Sequence, residues 1–78
     1  MEQNAITKVF NTWALLFGIE NVDVSQPMKA QVPDFDKIDE LMAIMAVEDI
    51  LGDDLSEEEI QKLKDEGFTA AALNPIFA

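Results

Sequence analysis

An all-α fold is predicted for this chain by three observations. Apolar residues recur at three- and four-residue spacing along its first segment, and side chains that cap helices stand ahead of the later ones. No stretch alternates apolar and polar residues as a half-buried strand does. At 78 residues the chain has room for one small core, so the expectation is a single domain over residues 1–78. Its architecture would be a small bundle of three or four helices, with a long loop between the first and the second.

The first helix is read in "NAITKVFNTWALLFG", residues 4–18. Ile6, Val9, Phe10, Trp13, Leu16 and Phe17 form one apolar face, Asn4 can cap the start, and Gly18 can adopt the left-handed conformation that ends it. Trp13 belongs to the core on this reading. The next stretch, "IENVDVSQPMKAQVP", carries two prolines and no sustained period, so it is expected as a packed loop pinned by Val22, Val24, Met28 and Val32.

The second helix is expected within "DFDKIDELMAIMAVEDILG", residues 34–52. Asp34 or Asp36 can accept the free N–H groups of its first turn, where negative charge also suits the helix dipole. Ile38, Leu41, Met45, Val47 and Leu51 are read as its buried side and Gly52 as its stop. Met42 and Ile44 widen the apolar arc beyond what one neighbour needs, leaving part of it exposed.

A third, short helix is expected in "LSEEEIQKLKDEG", residues 55–67, where Ser56 and Glu59 make a capping box and Gly67 is the stop. Ile60 and Leu63 are its two inward anchors, too few for a helix that stands alone. The closing "FTAAALNPIFA" offers Thr69 as a cap. Pro75 is expected to break the ladder there, with Phe68, Leu73, Ile76 and Phe77 closing the core.

Charge is the strongest compositional fact. Sixteen acidic residues face five lysines, with no arginine or histidine, for a formal charge of −11. All the acids except Glu2, Glu20 and Asp23 lie between Asp34 and Glu66. Such a surface repels a phosphate backbone, which excludes direct nucleic-acid binding, and steers partners with basic faces. The plainer reading is a solvated surface that keeps a small protein soluble. With 49% apolar residues the chain is not a disordered acidic tail.

Catalysis by histidine or cysteine is excluded because neither residue is present, and soft-metal sites go with them. Calcium fits poorly: "DFDKIDE" lacks the central glycine of an EF-hand loop and "GDDLSEEE" lacks its alternation of ligands. No glycine-rich phosphate loop is present, and no apolar run approaches the roughly 18 residues that span a bilayer. The expectation is a non-enzymatic protein without metal or cofactor, away from membranes, cytoplasmic, and monomeric when free.

In this order of elements the chain resembles the acyl carrier proteins. That family's second helix opens Asp-Ser-Leu-Asp, with the serine carrying 4′-phosphopantetheine; here the residues are Asp36-Lys37-Ile38-Asp39. The register continues through "AIMAVEDILGDDLSEEE", and "FGIENVDV" is similar to the turn that follows the family's first helix. The similarity covers roughly residues 5–73. The departures are definite: Lys37 has no hydroxyl, Met42 stands where the family has an acid, and "DEGFTAAALNP" lengthens the turn before a shortened last helix.

The resemblance implies a carrier-like interaction module, related to fatty acid or polyketide biosynthesis, whose phosphopantetheine attachment site is lost. Its second helix would dock on a basic patch of a partner enzyme. The implied contact residues are the acids Asp36, Asp39, Glu48 and Asp49, with Lys37 at the attachment position and Met42 and Ile44 as apolar contacts. Met45 falls beside them and is equally well explained by core packing. The alternative is an acidic mimic of nucleic acid, of the kind phages use, that occupies a DNA- or RNA-binding protein.

Overall fold

The structure, a computed structural model, describes residues 2–78, with side chains from Ala5 onward. Five helices follow in order: α1 (Glu2–Phe17), α2 (Met28–Gln31), α3 (Lys37–Leu51), α4 (Glu57–Glu66) and α5 (Ala70–Phe77). Among the described residues there is no strand. α1 packs on α3 and on α5, and α4 packs on α5.

α1 presents Ile6, Val9, Phe10 and Trp13 to the core, as the three- and four-residue spacing requires. It ends where expected: Gly18 takes φ 70° and Ile19 N–H reaches back to the Ala14 carbonyl at 2.9 Å. Two expectations fail here. The helix begins before Asn4, so that residue is not the cap, and its side chain lies outside the described residues. Leu16 is 43% exposed rather than part of the core face.

Trp13 organises the interior. Its indole is fully buried and packs against Phe10 and, edge-on, against Phe68, with ring centroids 5.0 and 5.7 Å away. Its Nε1–H donates to the Ala43 carbonyl of α3 at 3.0 Å, so the one polar atom of the ring is satisfied. Phe35 extends the aromatic chain from Phe68 to Phe17.

The long loop is packed, and it contains a helical turn that periodicity alone does not reveal. α2 spans four residues, too short to show a repeat. Met28 is fully buried and Val32 buried, while Val22 and Val24 are half-buried, as expected of the four pins. Backbone bonds from Met28 N–H to the Phe68 carbonyl (3.0 Å) and Lys29 N–H to the Gly67 carbonyl (3.1 Å) tie the loop to the α4–α5 corner. The Gln31 amide clamps the loop on itself, accepting from Asp23 N–H and donating to the Asp23 carbonyl, each at 2.8 Å.

α3 is rotated relative to the sequence reading. Ala43, Ile44, Ala46 and Val47 are buried and Ile50 and Leu51 half-buried. Ile38, Leu41 and Met45, expected inside, are 68%, 57% and 58% exposed. The reason is steric. Trp13 and Phe10 fill the space facing α3, so the helix brings its alanines to α1, and the Trp13 hydrogen bond requires close approach at Ala43. A helix apolar on both faces leaves the choice to its neighbour.

α4 opens with the expected capping box: Ser56 Oγ accepts from Glu59 N–H at 3.1 Å and Glu59 Oε1 from Ser56 N–H at 2.8 Å. Leu63 is fully buried and Ile60 half-buried, with Leu55 buried just ahead of the helix. Gly67 ends α4 at φ 78°, donating to the Leu63 and Lys64 carbonyls. α5 begins at the Thr69 cap and runs through Pro75 to Phe77, so the expected break does not occur. Proline removes the N–H that would meet the Ala71 carbonyl, and Ala71 is exposed, where water can serve that carbonyl instead.

Candidate docking face

α3 is anchored at both ends by acids that were expected to meet a partner. Asp36 Oδ1 accepts from Asp39 N–H at 2.9 Å, and Asp39 Oδ2 accepts from Asp36 N–H at 3.3 Å, a reciprocal cap on the first turn. At the other end Gly52 takes φ 79°, and half-buried Glu48 accepts from Leu55 N–H through Oε2 at 3.0 Å. Asp36, Asp39 and Glu48 therefore have structural duties. Asp49, exposed on the next position, makes none of these local bonds.

Between these anchors the outward surface of α3 is apolar. At about 100° per residue, Ile38, Leu41 and Met45 fall on one side of the helix, opposite Ala43 and Val47. All three are more than half exposed. This stripe separates two grooves. On the α1 side, Thr12, Leu16, Met42, Met45, Ala46 and Asp49 line a mainly apolar groove of about 390 Å³. On the α4 side, Lys37, Glu40, Leu41, Ile44 and Lys64 line one of about 350 Å³. At the C-terminal end of α3, Met45 meets Glu48, Asp49, Asp53 and Asp54 around a shallow depression.

The expected contact residues are thus divided. Met42 and Asp49 come together in the α1–α3 groove, and exposed Lys37 stands at the head of the other. Ile44 is corrected: at 7% exposure it is a core residue forming a groove floor, not a projecting contact. The sequence does not show Leu16, Ile38 and Leu41 as surface groups, and it leaves Met45 between core and contact. The usable signal was the pair Ala43 and Ala46, small residues three apart that mark where a neighbouring helix approaches closely.

The prosthetic group that a carrier-like reading implies does not fit these residues. Lys37, the first residue of α3, offers an amine where a phosphoester requires a hydroxyl. Both serine hydroxyls are engaged: Ser56 caps α4, and Ser25 Oγ donates to Asp23 Oδ1 at 2.6 Å. That bond, with a second from Ser25 N–H at 2.9 Å, holds the exposed Asp23 carboxyl below its ordinary pKa.

No helix among the described residues is long and apolar enough to cross a membrane. Comparison with protein-family models, with curated proteins and with solved structures gives no match.

Proposed function

We propose that this chain is a non-catalytic, carrier-protein-like docking module that works without phosphopantetheine and binds an enzyme bearing a basic surface. The observation that carries this reading is the outward stripe Ile38, Leu41 and Met45, three large apolar side chains left in solvent on the helix that the resemblance assigns to recognition. A core of this size has every reason to bury such residues, since each is worth roughly 1.5–3 kcal/mol when fully buried. Their exposure together, rather than singly, supports the reading of this face as a contact surface. The acids near its ends steer a basic partner, and the apolar contact holds it once docked.

The reading is tested with a phosphopantetheinyl transferase of broad specificity, an enzyme that must recognise a carrier surface before it acts. With coenzyme A, the native chain is expected to keep its mass, because Lys37 cannot accept the group. Lys37→Ser is expected to gain one phosphopantetheine at position 37. A variant that stays unmodified, or a native chain modified at Ser25, contradicts the reading. In the first case, tight binding to a nucleic-acid-binding protein that polyphosphate displaces would favour charge mimicry instead.

A further inference from the structure

The stripe on α3 is bordered on one side by a groove with its own chemistry, shared between two helices that the reading above treats separately. Thr12 and Leu16 lie one turn apart on α1, and Met42, Met45 and Asp49 lie at three- and four-residue steps on α3. Leu16 is 43% exposed, so the groove has an open apolar wall on the α1 side as well. We propose that this α1–α3 groove is the seat of a basic amphipathic helix of the partner protein. Its apolar face would lie against Leu16, Met42 and Met45 and its cations against Asp49, Asp53 and Asp54. This inference rests on the docking reading and places the partner's anchor off the crest of α3, toward α1.

Groove geometry, hydrogen bonding and charge together favour this occupant. The groove runs between two helices, so a third helix can set its ridge of side chains into it. An extended segment would gain no ladder of main-chain hydrogen bonds there, since no sheet edge exists among the described residues. Charge selects the sign. The groove leads into the depression around Asp49, Asp53 and Asp54 at the C-terminal end of α3, where the helix dipole is also negative. Lys37 and Lys64 sit in the other groove, between α3 and α4. A second copy of the chain would bring −11 against −11, and an anionic lipid surface is repelled in the same way. Methionine side chains at 42 and 45 adapt to apolar partners of differing shape, which suits a groove without deep walls.

The probe is a synthetic peptide of about 18 residues with leucines at three- and four-residue spacing and lysines elsewhere, titrated into the intact protein while methyl NMR signals are followed. Two controls carry the same leucines with glutamate for lysine, or the same composition scrambled to destroy the apolar face. The lysine peptide is expected to give saturable shifts at Leu16, Met42 and Met45, with both controls at least about tenfold weaker, a difference of about 1.4 kcal/mol. Leu16→Asn is expected to weaken binding by a similar factor. Asp49→Asn should weaken it several-fold at low salt and less at high salt. Leu15→Asn, 86% exposed and outside the groove, should change nothing.

Equal binding of the scrambled peptide, or no saturable binding, overturns the proposal. Shifts confined to Ile38 and Leu41 also overturn it, while leaving docking on α3 intact. Failure of the broader reading is seen separately, in the mass of Lys37→Ser.

Discussion

Trp13 is the residue on which most of the interior depends. It fills the space between α1, α3 and the corner before α5, and its Nε1–H ties α1 to the middle of α3. Trp13→Phe keeps an aromatic ring, removes the hydrogen bond to the Ala43 carbonyl, and leaves a gap beside Ala43. Its expected cost is about 2–3 kcal/mol in chemical denaturation, against a total of roughly 4–12 kcal/mol for a chain of this length. No loss of stability would show that the indole N–H contributes nothing.

At the same scale, the Ser25 hydroxyl and N–H lower the pKa of Asp23 in the folded chain. A carboxyl with a depressed folded pKa adds stability above its unfolded pKa, and that contribution disappears as pH falls through the folded value. The Asp23 carboxyl followed by NMR should therefore titrate below the ordinary aspartate range, and Ser25→Ala should return it toward that range. An unchanged midpoint would remove Ser25 as the cause.

At the scale of elements, α3 makes the sharpest prediction because two adjacent residues have opposite fates. Ile44 is buried and Met45 more than half exposed. Ile44→Ala should cost about 2–4 kcal/mol, and Met45→Ala about 0.5 kcal/mol or less, measured by denaturant midpoint. The reverse order would restore the register first expected from sequence.

That register was the part of the fold least legible beforehand. α1 was readable because Ile6, Val9, Phe10 and Trp13 contrast with polar residues on the far side. The capping box at Ser56 and the glycine stops at 18, 52 and 67 were readable because each has a local stereochemical cause. α3 has apolar residues all round, so its orientation depends on the bulk of Trp13 and Phe10, which a pattern along one segment does not contain. α2 was too short to show a period, and α5 continued through Pro75 because the carbonyl left without its partner belongs to an exposed residue. The acids were visible as a group and Asp36 caps the helix as expected, but Asp39 and Glu48 also serve the cap and a loop, which leaves Asp49 as the one of the four without such a bond.

For the whole molecule, net charge is the governing quantity. A formal −11 on a molecule with principal extents of 28 × 25 × 19 Å places like charges within two or three Debye lengths of each other, taking about 10 Å for that length at 0.1 M salt. Repulsion that salt can screen opposes the folded state, so Tm should rise between low and moderate sodium chloride. A flat Tm would mean that repulsion among the acids contributes little to the stability of the fold.

The most direct test of the central claim, that the outward stripe of α3 exists for binding rather than for folding, is a rate comparison. Phosphopantetheine transfer onto Lys37→Ser is measured with the stripe intact and with Ile38, Leu41 and Met45 each changed to Asn, at protein concentrations below saturation. The account predicts a fall of at least about tenfold in initial rate while the triple variant keeps its fold, since all three side chains are largely in solvent. Equal rates from the two proteins would contradict it.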